Sequence, residues 1–322
     1  MADNLTFFVE LEQAPLKDLF RGRGLVSRLA QHGAAIALGL LDLSTERASV
    51  IRALNRAGVP VTAWLLLERA DGYWLTADNA DRAAERYREV RDWARKRKLT
   101  LAGYGLDVEI PFSDTLDLVQ RGPRAALEKV LARRSRSELG RAVLRYSRLV
   151  GEIRSDGFRV ETYQYPWILD ERRAGSSLLQ RSLGFVDVGA DVEVSMLYES
   201  LAPAPWGKAM IDAYGPGCQA IGVGVSGGGE PELMTHFAGA ELDREGMLET
   251  LRRARRHASR LYVFSLEGCV EQGYLEDLLE ADLGTSPPPV PQATTVRAAR
   301  LGARMLLRAE PLWDLIARIR GM

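Results

Sequence analysis

An alternation of short apolar runs with amphipathic helical stretches, repeated eight times, is the feature that most constrains how this chain folds. Each run has the length of a β-strand and is followed by a polar turn and a stretch with helical periodicity. Strands that alternate with helices form a parallel sheet, and eight such units close the sheet into a barrel. The sequence therefore predicts an α/β fold, a (β/α)8 barrel, with strands within residues 5–12, 34–43, 59–68, 99–110, 158–165, 192–199, 219–226 and 260–267.

Local signals between the runs agree with this TIM-barrel interpretation. Gly58 and Gly157 stand where a helix is expected to end before the next strand begins. The alternative is an open, doubly wound sheet, which would carry a glycine-rich phosphate turn after its first strand. Residues 10–13 at that place read Glu-Leu-Glu-Gln, so the closed barrel is favoured. Apolar faces at helical spacing are formed by Ala83, Tyr87, Val90 and Ala94, and by Met247, Leu251, Ala254 and Ala258.

Two segments exceed a minimal barrel, which is assigned to residues 1–283. An extra helical insert follows strand four, where the connection is long enough for two helices and Ser135 with Glu138 predicts a capping box. Residues 284–292 form a proline-rich linker, and residues 293–322 form a C-terminal amphipathic helical segment rich in arginine. We expect this C-terminal helix to pack against the barrel, and the alternative is contact with a partner or a membrane surface.

The composition of the chain argues against several classes of function. Acidic and basic residues balance at 43 each, so no bulk charge points to nucleic acid as a partner. The sequence has no apolar run long enough for a membrane span and no signal peptide at its start, which predicts a cytoplasmic protein. With 3 histidines and no compact ligand motif, we expect neither a histidine-based triad nor a resident metal or other cofactor.

Carboxylates collect at the ends of the predicted strands, where barrel enzymes carry their catalytic groups. In strand four, Asp107 and Glu109 are two residues apart and therefore point the same way, roughly 6–7 Å from each other. Two carboxylates on one inward face do not ionise freely, and a split between their pKa values supplies a general acid near neutral pH. The alternative is a pair that only forms salt bridges with arginine. Further acids at these ends are Glu10, Glu12, Asp42, Glu68, Glu199 and Glu267.

Aromatic residues are concentrated on the same predicted face. Trp64 lies in strand three, Trp74 lies in the loop after it, and Trp167 follows closely on Tyr163 and Tyr165. Flat apolar rings beside acids suit sugars, which offer a C–H face for stacking and hydroxyl groups for hydrogen bonds. The alternative is that these rings only fill the mouth of the barrel. Because Trp74 is in a loop, we expect it to bind ligand rather than to support the core.

Three short motifs, in order and spacing, resemble the family 18 glycoside hydrolases, the chitinase and endo-N-acetylglucosaminidase barrels. That family ends strand four with Asp-x-Asp-x-Glu, and residues 105–109 read Gly-Leu-Asp-Val-Glu. Its strand six carries Met-x-Tyr-Asp, and residues 196–199 read Met-Leu-Tyr-Glu. Its strand eight carries a tryptophan on the barrel floor, in a segment that residues 263–268 resemble.

The resemblance implies a role for each matching residue. Glu109 would be the general acid/base, and Asp107 would orient and stabilise the 2-acetamido group of the substrate. Tyr198 would hydrogen-bond that group, with Glu199 assisting. The acetamido oxygen of the substrate would then be the nucleophile.

The chain departs from the family pattern at positions around these residues. Ala102 and Gly105 stand where the family has acids, Glu199 replaces Asp, and Phe264 replaces Trp. A plain two-carboxylate mechanism therefore stands beside acetamido assistance as an alternative.

The sequence as a whole predicts a glycoside hydrolase-like enzyme that cleaves a glycosidic bond in an oligosaccharide or glycoconjugate. Glu109 is the expected acid/base, with Asp107 in support. The alternatives are a non-catalytic carbohydrate-binding barrel and a divalent-metal-dependent sugar isomerase or lyase. The carbohydrate is expected to contact Glu10, Glu12, Trp64, Trp74, Tyr163, Tyr165, Trp167, Phe264 and Glu267.

Overall fold

The computed structural model describes residues 5–22, 24–237, 239–312 and 314. Over these residues the chain forms a closed barrel of eight parallel strands in sequential order, with the last strand hydrogen-bonded to the first. This topology confirms the (β/α)8 TIM barrel and excludes the open, doubly wound sheet. The strands are β1 Leu5–Val9, β2 Ala35–Gly39, β3 Val61–Leu65, β4 Gly103–Asp107, β5 Arg159–Gln164, β6 Val192–Met196, β7 Ala220–Gly224 and β8 Leu261–Phe264.

Helices connect the strands and form the outer layer of the barrel. The helix α4, of 18 residues, buries the face that its sequence predicts, with Ala83, Tyr87, Val90 and Ala94 turned inward. Short 3-10 turns lie at Arg69–Asp71, Glu199–Leu201, Gly215–Gly217 and Thr235–Phe237. The helices are α1 Gln13–Arg21, α2 Leu25–Gln31, α3 Thr45–Arg56, α4 Ala80–Arg97, α5 Phe112–Arg121, α6 Pro123–Leu131, α7 Arg136–Ser155, α8 Ile168–Ala174, α9 Leu178–Leu183, α10 Trp206–Tyr214, α11 Pro231–Met234, α12 Arg244–Arg255, α13 Leu266–Glu271, α14 Leu275–Glu280 and α15 Gln292–Arg308.

The insert after β4 contains α5, α6 and α7, where the length of the connection predicted two helices. The difference arises at Gly122, whose φ of 56° ends α5, and at Pro123, which starts α6. The capping box predicted at the start of α7 is confirmed. The Ser135 side chain accepts a hydrogen bond from the Glu138 backbone, and the Glu138 carboxylate accepts one from the Ser135 backbone N–H at 2.7 Å.

The strands are shorter than the predicted runs, and this moves two predicted site residues out of the sheet. Strand β1 ends at Val9, and Glu12 lies immediately before α1. Strand β8 ends at Phe264, because the Ser265 side chain accepts a hydrogen bond from the backbone three residues later and so caps α13. Glu267 therefore lies in the first turn of α13 instead of on a strand.

Side chains of the strands alternate between two apolar layers. Phe7 and Val9 pack in the layer between the sheet and the helices, whereas Phe8 packs inside the barrel. The Phe8 ring meets the rings of Tyr163 and Trp64 edge-on, with centroids 4.8 Å and 5.3 Å apart. Aromatic side chains thus fill the barrel interior and form the floor of its C-terminal mouth.

The C-terminal helix α15 packs against α8 and α10, as the sequence predicts. Its Arg300 guanidinium lies 3.7 Å from the centre of the Tyr214 ring and donates to the Asp170 carboxylate at 2.9 Å. The opposite side of the helix exposes Leu301 and Met305. Contact of that side with a partner or a membrane surface stays a prediction.

The predicted linker precedes the C-terminal helix. The predicted linker, residues 284–292, lies between α14 and α15, and its Val290 N–H donates to the Asp212 carboxylate at 2.9 Å. Residues 1–4, Trp313 and the predicted C-terminal residues 315–322 fall outside the described chain. Within the described residues no helix is both long enough and apolar enough to cross a membrane.

Candidate active site at the carboxyl-terminal mouth of the barrel

A cavity of about 350 Å³ lies at the carboxyl ends of the strands, the end at which barrel enzymes bind their substrates. The predicted residues Glu12 and Glu267 are not among those that line it. The predicted residues that do line it are Glu10, Trp64, Trp74, Asp107, Glu109, Tyr163, Tyr165, Trp167, Tyr198, Glu199 and Phe264.

Asp107 and Glu109 are held at this mouth by backbone pairing beyond the end of β4. Leu75, in the loop after β3, forms an isolated parallel bridge with Val108. The Leu75 N–H donates to the Asp107 carbonyl at 3.0 Å, and the Glu109 N–H donates to the Leu75 carbonyl at 2.8 Å. Because the segment stays extended, Val108 points outward and both acids point into the cavity, as the sequence predicts.

Each of these two carboxyl groups has one fixed donor. Trp64 donates its indole N–H to Oδ2 of Asp107 at 3.1 Å, and Tyr165 donates its hydroxyl to Oε2 of Glu109 at 2.5 Å. The other Asp107 oxygen, Oδ1, is buried and has no hydrogen-bond partner among the described residues. Glu109 is less buried than Asp107 and therefore more accessible from the cavity.

The Asp107–Glu109 pair retains a proton more readily than isolated carboxyl groups do. Burial and the nearby charges of Glu109 and Glu10 raise the pKa of Asp107 well above its usual value. Burial also raises the pKa of Glu109, while the hydrogen bond from Tyr165 opposes the rise. Such a pair titrates as a unit, so it can hold one proton near neutral pH and pass it to a bound ligand.

Glu10 adds a third carboxyl group to the cavity. Its Oε1 accepts the Tyr73 hydroxyl at 2.5 Å, and its backbone N–H donates to Oε1 of Glu267 at 3.1 Å. Burial raises the pKa of Glu10 to about 8; the Tyr73 hydrogen bond opposes this rise, and the charges of Glu267, Glu230 and Glu109 add to it. Burial likewise raises the pKa of Glu267 to about 7.

The predicted contact of Glu12 with substrate is wrong, because Glu12 is exposed at the start of α1. The chain leaves the sheet after Val9, so the alternation that places Glu10 inside does not extend to Glu12. The prediction for Glu267 also needs correction. Its carboxylate binds the Glu10 backbone and does not line the cavity, so Glu267 supports Glu10 rather than contacting the ligand.

Glu199 borders the cavity, but its carboxyl group is turned away from the other acids. It faces Thr250 of α12, and the charges that act on it are those of Lys208, Glu249 and Arg253. The reason is local: Glu199 directly follows the extended Tyr198, and neighbours in extended chain point to opposite sides. The assisting role that the family resemblance implies for Glu199 is therefore not supported by its position.

Aromatic rings form the walls above the acids. Tyr165 and Trp167 are stacked, with centroids 4.5 Å apart and planes inclined by 9°. On the other side, Phe264 lies 5.7 Å from Tyr198 and 6.5 Å from Trp64. Phe264 thus occupies the mouth, where it lines the cavity together with Tyr198.

Tyr163 fills the space that an acidic residue at position 105 would need. A Cβ atom on Gly105 would lie 2.3 Å from the Tyr163 hydroxyl oxygen, so this departure from the family pattern is a packing requirement. The hydroxyl donates to Oε2 of Glu161 at 3.3 Å, toward the opposite end of the barrel. Tyr163 therefore gives the cavity its ring as a floor, and its hydroxyl does not face the ligand.

Trp74 is part of the packed core of the mouth, contrary to the expectation for a loop residue. It is only 6% exposed, and its ring packs against Tyr73 at 5.8 Å and Phe112 at 5.3 Å. The insert after β4 supplies Phe112 and covers the loop, which sequence periodicity does not reveal. Trp167 is half-buried and stacks on Tyr165, and it is the better candidate for a ring that binds ligand.

Two residues of the mouth were not identified from the sequence. Arg69, in the loop after β3, forms an ion pair with Glu230, in the loop after β7. The Arg69 guanidinium also lies over the rings of Tyr73 and Phe112, at 5.6 Å and 5.7 Å. No motif marks either residue, since they meet only when the barrel brings distant loops together.

A metal-type ligand group exists elsewhere in the described chain. Side-chain ligand atoms of His32, Glu276 and Glu280 lie within 4.8 Å of one another, between the end of α2 and α14. Among the described residues, the carboxyl groups that line the cavity do not form such a group of three.

Comparison with known proteins gives structural likeness and no sequence family. The sequence matches no family model and no curated protein. A chitinase of family 18 from Pseudoalteromonas aurantia is 10% identical, with a TM-score of 0.48 over 85% of this chain and 98% of the other. The PgaB glycoside hydrolase domain from Bordetella bronchiseptica is 10% identical, with a TM-score of 0.49 over 86% and 97%.

An enzyme of a different reaction class shows a similar likeness. A D-allulose 3-epimerase from Methylomonas sp. is 13% identical, with a TM-score of 0.44 over 92% of this chain and 97% of the other. The reported neighbours are thus enzymes on barrels and include both glycoside hydrolases and a sugar epimerase. The reaction of this chain has to be inferred from its own site.

Proposed function

We propose that this protein hydrolyses a glycosidic bond in an oligosaccharide or glycoconjugate, with Glu109 as general acid/base and Asp107 in support. The observation that carries the proposal is the buried Asp107–Glu109 pair on the floor of an aromatic cavity, with Tyr165 fixing the orientation of Glu109. A partly accessible acid with a raised pKa is what protonation of a leaving group requires near neutral pH.

Glu109 acts twice in this mechanism. Its carboxylic acid gives a proton to the glycosidic oxygen as the bond between that oxygen and the anomeric carbon breaks. The leaving group departs as an alcohol, and the oxygen of a water molecule bonds to the anomeric carbon while the Glu109 carboxylate takes a proton from that water, which restores the acid. Asp107 shares the proton of the pair, and its unpartnered Oδ1 accepts a hydrogen bond from the bound sugar.

The remaining predicted contacts position the sugar. Trp64, Trp167 and Phe264 offer apolar rings to the C–H face of a pyranose, and Tyr198 offers a hydroxyl group. Glu10, which is largely protonated at neutral pH, can both donate and accept hydrogen bonds to sugar hydroxyls.

The deciding experiment is a screen of aryl glycosides and glycans with the wild type and Glu109→Gln side by side. We expect hydrolysis by the wild type and its loss in the variant, with the fold intact by circular dichroism. Equal activity of the two proteins would remove the assignment of Glu109. Glycan binding by both, with hydrolysis by neither, would favour the non-catalytic carbohydrate-binding barrel.

A chelator separates the proposal from the metal-dependent alternative. We expect hydrolysis to be unchanged after dialysis against EDTA, because the carboxyl groups of the mouth do not converge as a ligand set within the described chain. Loss of activity that Mg²⁺ or Mn²⁺ restores would favour the sugar isomerase or lyase.

A further inference from the structure

The ionisable side chains that line the cavity are of one chemical kind. Apart from tyrosines, the ionisable side chains among the described residues that line it are all acids, and none is lysine, arginine or histidine. These acids are Glu10, Asp107, Glu109, Glu199 and Glu230. Neutral sugars do not require a site lined by acids alone. Their hydroxyl groups are bound equally well by amide side chains and by acids paired with basic residues.

No cation of the described chain neutralises the acids at the centre of the cavity. The charges that act on Asp107 are those of Glu109 and Glu10, and both raise its pKa. Arg69, at the rim, is paired with Glu230. A positive charge on the ligand would therefore supply the compensation that the protein itself does not provide.

Two acceptor atoms of residues that line the cavity have no donor among the described residues, Oδ1 of Asp107 and Oε2 of Glu199, and the first belongs to the central acids. Oδ1 of Asp107 is without a hydrogen-bond partner in the described chain, although Asp107 is only 2% exposed. A buried acceptor left without a donor costs free energy, and a ligand that brings a donor removes that cost. An ammonium group brings three donors together with a positive charge, whereas an acetamide N–H brings one donor and no charge.

The rings around the acids favour a cation as well. Trp64 donates its N–H to Asp107, so the ring and the carboxyl group adjoin the same part of the cavity. Trp167, Tyr198 and Phe264 complete the walls. The faces of such rings attract ammonium groups, and they stack equally well on the C–H face of a sugar.

We infer that this site selects oligosaccharides that carry free, protonated amines over N-acetylated or acidic sugars of the same length. The inference rests on the proposed function for the sugar part of the ligand and departs from the acetamido substrates that the family resemblance implies. Acidic sugars are disfavoured by repulsion from the carboxylate of the Asp107–Glu109 pair. N-acetylated sugars stack on the rings but leave the charge of the acids uncompensated.

Binding of a cation to this site is expected to release protons. The groups that face Glu10 are Tyr73, Glu267, Glu230 and Glu109. The three acids favour the protonated form of Glu10, whereas the Tyr73 hydrogen bond favours the carboxylate. A bound ammonium favours the carboxylate, so protons leave as the ligand enters. Affinity for an amino sugar is therefore expected to rise with pH until the amine itself loses its proton, and affinity for a neutral sugar is not.

The test is isothermal titration calorimetry on Glu109→Gln, which binds without turnover. The probes are a glucosamine pentamer, the N-acetylglucosamine pentamer and a galacturonate pentamer, each in two buffers of different ionisation enthalpy. We expect the glucosamine pentamer to bind at least ~10-fold more tightly than the acetylated one, about 1.4 kcal/mol, with proton release. The galacturonate pentamer is expected not to bind.

Two second-site variants show whether the selectivity comes from the cavity. Glu10→Gln is expected to reduce the preference for the amine and the proton release, whereas Glu245→Gln, at an exposed position on α12, leaves both unchanged. Equal affinity for the amine and acetylated pentamers overturns the inference, and so does an amine preference that Glu10→Gln does not change. Absence of binding by every probe also overturns it.

The two proposals fail in different ways. Hydrolysis of acetylated glycans by the wild type, without amine preference in the titration, keeps the proposed function and overturns the selectivity. Amine-selective binding without hydrolysis of any amino-sugar polymer keeps the selectivity and overturns the hydrolase.

Discussion

The two ends of the barrel both bury carboxyl groups, but they surround them with opposite charges. At the N-terminal end, a cavity of about 200 Å³ is lined by Glu161 together with Arg159 and Arg260. Burial raises the pKa of Glu161, and hydrogen bonds from tyrosines and the charges of both arginines oppose the rise. At the C-terminal end, the charges that act on Glu10 are those of other acids, which add to the effect of burial.

This difference distinguishes a structural acid from the acids that we propose to be functional. A buried acid beside arginines is the ordinary arrangement of a stable protein, because each charge compensates the other. Buried acids that raise one another's pKa cost stability, and clusters of this kind are typical of sites that transfer protons or bind cations. The contrast between Glu161 and the acids of the C-terminal mouth is therefore the main reason to place function at that mouth.

The largest expected effect compares Glu109→Gln with Glu161→Gln. Loss of the general acid is expected to lower kcat/KM for hydrolysis by at least ~10²-fold, since general acid catalysis contributes about that much. Glu161→Gln is expected to stay close to the wild-type rate, because Glu161 lines the opposite cavity. A large and equal loss in both variants would show that the contrast between the two ends does not locate the chemistry.

The next effect distinguishes rings that pack from rings that bind. Trp74→Ala is expected to destabilise the fold by about 3–5 kcal/mol, because Trp74 is buried against Tyr73 and Phe112. Trp167→Ala removes a half-buried ring and is expected to weaken glycan binding by about 1–2 kcal/mol with little change in Tm. Thermal melts and titrations of both variants check this, and a lower Tm with unchanged affinity for Trp167→Ala would contradict it.

A smaller effect concerns stability and pH. The pKa of Glu10 is about 8 in the folded protein, compared with a reference value of 4.5. The folded state therefore keeps a proton that the unfolded chain has lost, and stability decreases as pH rises between these values. Glu10→Gln cannot ionise, so its Tm is expected to exceed the wild-type Tm at pH 8 by roughly 2–5 °C and to converge with it toward pH 5.

The control for this prediction is Glu161→Gln at the other end of the barrel. Its gain at pH 8 is expected to be smaller, because Arg159 and Arg260 favour the charged form of Glu161. An equal gain in the two variants would mean that arginines and acids have the same effect on a buried carboxyl group here, and the comparison of the two ends would fail.

The smallest expected effect is a shift of the pH profile in Tyr165→Phe. The Tyr165 hydroxyl donates to Glu109 and lowers its pKa, so removing the hydroxyl raises the pKa of Glu109. The alkaline limb of kcat/KM against pH, where the general acid is lost, is expected to move to higher pH. Tyr262→Phe, which removes a hydrogen bond to Glu161 instead, is expected to leave the profile in place.

Sequence reasoning succeeded where a property depends on near neighbours along the chain. The order of the strands, the inward direction of Glu10, Asp107 and Glu109, and the Ser135 capping box all follow from periodicity and short spacing. It failed at strand ends, where the chain turns. The position of Glu12 and the helical start that carries Glu267 depend on where each strand stops pairing.

The sequence by itself determined that this chain is a closed barrel with acids and aromatic rings at one end, because alternation and spacing specify which side chains face inward. The tertiary structure decided which acids lie together. Glu199 lies one residue after Tyr198, yet its carboxyl group faces α12, while Glu10 and Glu109 share a cavity. Sequence separation does not predict which acids share a cavity. The charges around a buried carboxyl group are set by the segments that pack against it, and these are distant in sequence.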